Sequence, residues 1–190
     1  MKYISIDLET TGLKRYGDNQ ILEFGAILDD LENQLPVDEL PRFHTYIYHH
    51  QIIGESYALS MHSDILRKIS EREPPYTYLS PDKLGISFKK FLLKNGYEAE
   101  HDKIVINAAG KNFASFDLTF LERTTDWTKH IKTRQRILDP AILYYKKGDD
   151  ALLCTLPCLQ RAGFTNKKVI CHTAIEDAID IIKLIRHKLG

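Results

Sequence analysis

An α/β fold, with helices flanking a mixed β-sheet, is the architecture this sequence predicts. Two observations carry it. Three strand-like segments come first, and strands then alternate with helices. Early strands joined by short loops are expected to pair antiparallel, while later crossovers add parallel neighbours. The chain has 190 residues, best read as one domain spanning 1–190, and its 43% hydrophobic content supplies a core.

Residues 2–8 alternate as a strand, with Ile4, Ile6 and Leu8 on one side and Tyr3, Ser5 and Asp7 on the other. Thr11-Gly12 and the polar stretch 14–19 make a turn. Residues 21–29 and 43–49 read as the second and third strands, separated by an acidic loop with two prolines. Helical spacing covers 57–71 and 82–95, and Gly96 stops the second helix. Residues 103–107 form a short buried strand. A helix N-capped by Asn112 is expected next, then a strand end and another helix around Leu138-Asp139-Pro140. Thr173-Ala-Ile-Glu176 is a capping box that opens the last helix.

Composition narrows function. There are 26 basic and 26 acidic residues, so the chain lacks the cationic excess of a long-duplex binder. Nucleic-acid contact, if present, should be local, to a short stretch or a strand end. No apolar run is long enough to span a membrane, and the N-terminus enters a charged motif at once, unlike a secretory leader. Three cysteines, Cys154, Cys158 and Cys171, suggest reduced thiols and a cytoplasmic setting. With His172 they could be imagined as zinc ligands, but the spacing is not that of a familiar zinc module. Cys154 and Cys158 also fit an apolar helix face.

Five residues stand out. Asp7 and Glu9, two apart on a strand, project from one face about 7 Å apart along the backbone. Two anions so directed repel unless a cation lies between them, and hard oxygen ligands favour magnesium or manganese. The bland alternative is two acids at a solvated strand end. Asp117 shares a helical face with Phe113, Phe120 and Leu121, a costly place for an acid unless it is paired, for example with Arg123, or metal-bound. Asp177 lies one turn into the last helix, on the face of Ile181 and Leu184. His172 sits just outside the cap, where an imidazole can reach over a site. A surface histidine beside a buried salt bridge is the alternative there.

These motifs resemble those of the DEDDh 3′→5′ exonucleases. Asp7-Leu8-Glu9 in Asp-Leu-Glu-Thr-Thr-Gly-Leu matches the first, Asn112-Phe113 followed by Asp117 the second, and His172 with Asp177 the third, over residues 4–180. The resemblance implies a ribonuclease H-like fold in a compact form similar to oligoribonuclease, ribonuclease T or polymerase proofreading subunits. It implies hydrolysis of single-stranded DNA or RNA from the 3′ end with two Mg²⁺ or Mn²⁺ ions. Asp7 would bridge the ions, Glu9 and Asp177 would complete one site, Asp117 would hold the other, and His172 would act as general base. Leu13 resembles the family's wedge against terminal bases, and amides near Thr10 and Thr11 would meet the terminal 3′-hydroxyl. Phe113 is a candidate stacking platform or, equally, a core residue. Tyr46, Tyr48, Met61 and His62 read as packing residues in preference to substrate contacts. The competing class is an inactive nucleic-acid- or protein-binding domain, which loss of one of the five residues would mark, and none is lost. Nothing in the motifs selects DNA over RNA, and an oligomer or a polymerase partner is compatible with them.

Overall fold

The structure, a computed structural model, describes residues 1–13, 17–165 and 173–190. Along the chain the elements are β1 (Lys2–Thr10), β2 (Ile21–Asp30), β3 (Arg42–Ile47), α1 (Ser56–Met61), α2 (Ser63–Glu71), β4 (Tyr78–Leu79), α3 (Leu84–Lys94), β5 (Ala99–Glu100), β6 (Lys103–Ile106), β7 (Ala108–Ala109), α4 (Asp117–Arg123), α5 (Trp127–His130), β8 (Ile131–Thr133), α6 (Thr155–Ala162) and α7 (Ala174–Leu189). A five-stranded mixed sheet has the order β4-β3-β2-β1-β7. As expected, β1, β2 and β3 pair antiparallel, while β7 joins β1 and β4 joins β3 in parallel. A second small sheet, β5-β6-β8, was not anticipated.

The alternation in β1 divides the molecule into two layers of core. Ile4, Ile6 and Leu8 enter the larger core with Phe24, Phe88 and Trp127, where the Phe88 and Trp127 rings stack 5.5 Å apart. Tyr3 faces α7 with Ile27, Ala178, Ile181, Ile182 and Ile185. Each such buried aliphatic side chain contributes about 1.5–3 kcal/mol.

Helix α7 is fixed to the sheet along its length. Ala174 N–H donates to Glu23 Oε2 (3.2 Å), and Ser5 Oγ donates to the Ala178 carbonyl (2.8 Å). Near its other end Arg186 pairs with buried Asp29, its Nε donating to Oδ2 at 2.9 Å. Gly25 makes the close approach possible, because a Cβ there would lie 2.6 Å from the Ala174 carbonyl carbon. Thr173 is the N-cap, its Oγ1 accepting from Glu176 N–H and donating to Glu176 Oε2.

Several boundaries differ from the sequence reading. The helical run 57–71 is two helices that meet at His62, whose backbone (φ −95°, ψ 24°) leaves the helical path. Asn112 does not cap a helix. It has φ 54°, residues 112–116 form turns, and α4 begins at Asp117. Leu138 bridges to Ala109 as an added strand position, but a 3₁₀ turn, Pro140–Tyr144, follows in place of an α-helix. Gly96 ends α3 with φ 78°. Among the described residues no helix is long and apolar enough to cross a membrane.

Candidate active site

A cleft of about 560 Å³ opens where β1, α1, α4, α6 and α7 converge. Asp7 and Glu9 project into it from β1, Asp117 from the first turn of α4 and Asp177 from the first turn of α7. Asp7, Glu9 and Asp177 each offer a carboxylate oxygen, and these lie within 4.8 Å of one another. Asp117 stands beside this triad and is 3% exposed. Its Oδ1 accepts from Leu8 N–H at 3.1 Å, a bond that ties α4 to β1 between the other two acids. Arg123 does not neutralise it. That guanidinium donates to the Gly17 and Asn19 carbonyls.

Burial and mutual repulsion govern the ionisation of this group. Asp7 is pushed well above the usual carboxylate range, by burial first and then by Asp117, Asp177, Glu9 and Glu23. Burial, with Asp177, Glu23 and Asp117, raises Glu9 to about 8. Burial raises Asp117 to about 7, although its own and the Leu8 amide and Lys111 act in the opposite sense. Acids so placed are costly to ionise alone, and an inserted cation relieves both causes.

His172 lies outside the described residues, as does Cys171. The cap residue Thr173 follows immediately, at the junction that Glu23 holds through Ala174. Glu23 itself is fully buried, and the His44 Nε2 lies 2.5 Å from its Oε1.

Around the rim, Leu13 is 79% exposed and lines the cleft, as do Thr10 and Gly12. Thr11 is fully buried and serves as a clasp. Its N–H donates to the Gln20 carbonyl, its Oγ1 donates to the Ile53 carbonyl and its own carbonyl accepts from Glu55 N–H. Its amide is therefore engaged within the fold. Phe113 is also fully buried, packed in the larger core, and has no face open to a base. Of the two readings offered for Phe113, platform or core, its burial matches the core one. The left-handed turn at Asn112 carries Phe113 inward and presents half-buried Phe116 to the cleft instead.

Met61 and His62, read from sequence as packing residues, both line the cleft with Tyr57. His62 is 4% exposed, with Nε2 3.3 Å from Glu9 Oε2. The break between α1 and α2 puts it there, and a histidine inside an amphipathic run was the available signal. Tyr46 packs against Leu22, Ile65 and Ile69, with Tyr48 alongside, as expected. Cys154 lines the cleft, while Cys158 is buried beside Tyr144 and Leu184. Among the described residues the oxygen triad is the only cluster of metal-ligating groups.

Among family models and curated protein sequences, none matches this chain. Solved structures do. The nuclease domain of 3′hExo, described as a DEDDh family member bound to rAMP, superposes with a TM-score of 0.64 at 13% identity, over 99% of this chain and 91% of that one. Cell-death related nuclease 4 (CRN-4) gives 0.61 at 13% identity, over 97% of this chain. E. coli Exonuclease I in complex with a dT13 oligonucleotide gives 0.60 at 13% identity, again over 97%. This chain spans 62% of the length of CRN-4 and 40% of Exonuclease I. It has the mixed α/β fold of the DEDDh exonucleases.

Proposed function

We propose that this chain is a single nuclease domain, a divalent-metal-dependent 3′→5′ exonuclease that releases nucleoside 5′-monophosphates from single-stranded DNA or RNA. The observation that carries the reading is the carboxylate set in the cleft: three oxygens within 4.8 Å, with buried Asp117 alongside. Hard oxygen donors whose carboxyl protons are retained by burial and repulsion suit Mg²⁺ or Mn²⁺. Asp7, central to the set and repelled by the other three, would serve both ions. Glu9 and Asp177 would complete one site and Asp117 the other. Bound there, two divalent ions supply Lewis-acid stabilisation of the attacking and leaving oxygens in an in-line displacement.

The chain's own groups do the rest. His172, immediately before the capped helix, takes the proton from the attacking water. The water oxygen bonds to phosphorus, the P–O3′ bond breaks, the O3′ left on the shortened strand takes a proton from solvent, and the terminal nucleotide departs with its 5′-phosphate. Leu13 and Phe116 offer apolar surface to the terminal bases, and Thr10 lines the same cleft. His62 holds Glu9 in place. A cytoplasmic setting accords with the free thiols of Cys154 and Cys158.

The test is digestion of 5′-labelled single-stranded DNA and RNA of several lengths with magnesium or manganese, and with EDTA as control. A ladder shortening from the 3′ end, abolished by EDTA and by Asp7→Asn, is expected. Intact substrate under every metal condition would refute the reading.

A further inference from the structure

The cleft presents five carboxylates, those of Asp7, Glu9, Glu55, Asp117 and Asp177, to a ligand that would itself be a polyanion. Among the described residues lining it there is one lysine and no arginine. That lysine, Lys111, is exposed on the wall beside Asn112 and Phe116. Its ammonium forms no ion pair with a described residue. Its charge reaches Asp117 only as a through-space attraction, and that carboxylate accepts its hydrogen bond from Leu8 N–H.

The backbone that carries Lys111 is built. On one side Gly110 N–H donates to the Leu138 carbonyl (3.1 Å). On the other, Asn112 N–H donates to Asp139 Oδ2 (2.9 Å), and the same carboxylate caps the following 3₁₀ turn through Ala141 N–H. Asn112 holds a left-handed conformation (φ 54°) to allow this. An exposed ammonium on an anchored turn at the lip of an anionic cleft, in no ion pair with a described residue, suits a point-charge contact to phosphate.

We infer that Lys111 binds a backbone phosphate of the substrate strand as it enters the cleft, upstream of the bond to be cut. The inference rests on the nuclease reading above and adds a substrate contact to it. It makes Lys111 a reader of backbone, not of base, so its contribution should be the same for every sequence.

A substrate-charge cycle tests it. Hydrolysis of a 5′-labelled oligonucleotide by the full chain is compared for wild type, Lys111→Ala and Lys111→Arg. Matched oligonucleotides carry one uncharged methylphosphonate at the first or second linkage upstream of the scissile phosphate. On the natural strand Lys111→Ala should lose about tenfold in kcat/KM, the loss expected for one charge-assisted contact, and Lys111→Arg should recover most of it. At one methylphosphonate position the alanine penalty should shrink below about twofold, because the partner charge is already gone. A penalty of the same size on all three substrates, or no penalty on the natural one, overturns the assignment while leaving the enzyme a nuclease. A wild-type protein that cleaves none of them removes the nuclease reading itself, and the inference with it.

Discussion

Replacing Asp117 by asparagine should stabilise the metal-free protein at alkaline pH while removing most of its activity. In the fold this carboxyl titrates near 7, where an unperturbed aspartate titrates at 3.8. Below about pH 4 it is protonated in both folded and unfolded chains and costs nothing. Between 4 and 7 the unfolded chain ionises and the folded one resists, so stability falls as pH rises. Above 7 the full difference has accumulated. Three units at about 1.4 kcal/mol each gives about 4 kcal/mol as an upper bound. Relaxation and sharing of charge with Asp7 reduce this, and about 2 kcal/mol is the gain expected for Asp117→Asn at pH 8. For a chain of this size that is a rise of about 4–8 °C in Tm. Asparagine keeps an acceptor for Leu8 N–H, so the tie between α4 and β1 survives. Thermal unfolding of both proteins in EDTA at pH 5 and pH 8 measures the effect, with a Mg²⁺ series at pH 8 alongside. Wild type should gain stability from Mg²⁺, by about 2.7 kcal/mol at a hundredfold excess over Kd, and the variant should gain less. A variant no more stable than wild type at pH 8 would refute the electrostatic reasoning. Near-normal magnesium-dependent turnover would remove Asp117 from the metal site.

Three further outcomes are expected. His172→Ala should keep metal and substrate affinity but lose about 10²–10⁴-fold in single-turnover rate, together with the acidic limb of the pH–rate profile; loss of metal binding would make it a ligand instead. Phe116→Ala should weaken binding of short single strands by about 1–3 kcal/mol with little change in Tm, whereas Phe113→Ala should cost about 3–5 kcal/mol of stability, and titration plus thermal melts of both separate a platform from a core residue. Because the chain has zero formal net charge, an Asp7→Asn variant should prefer short single strands to long duplexes and show a shallow salt dependence; tighter duplex binding with a steep slope would contradict this.

Much of this architecture was readable in the residues. The two-residue period of β1 assigned Tyr3, Ser5 and Asp7 to one face and Ile4, Ile6 and Leu8 to the other, and the sheet keeps that division. Capping chemistry located the start of α7, because Thr173 and Glu176 act within one turn and need no tertiary partner. What escaped was set by tertiary contact. Asn112 looks like a cap in isolation, but Asp139, 27 residues on, takes its N–H and holds it left-handed, and this moves the exposed aromatic from Phe113 to Phe116. The apolar spacing of 57–71 runs unbroken through His62, so the break that sends this histidine to Glu9 leaves no trace in periodicity. Lys111 carried no signal at all, since a lone lysine in a turn is ordinary until a cleft forms around it.

The seam at Gly25, where the backbone of α7 comes down onto β2, has a consequence for when the acidic cluster is assembled. Asp7 and Asp177 are separated by 169 intervening residues but occupy one site. Such a contact is the slowest kind to form, because the entropy of closing so long a loop is lost before any packing is gained. On a ribosome, β1 with Asp7 and Glu9 is exposed long before Asp177 exists. An emerging chain therefore presents two acids without their third, and on the proposed nuclease reading the site that would cut nucleic acid is completed only when α7 docks. The order of synthesis and docking thus sets the moment at which the three acids first meet.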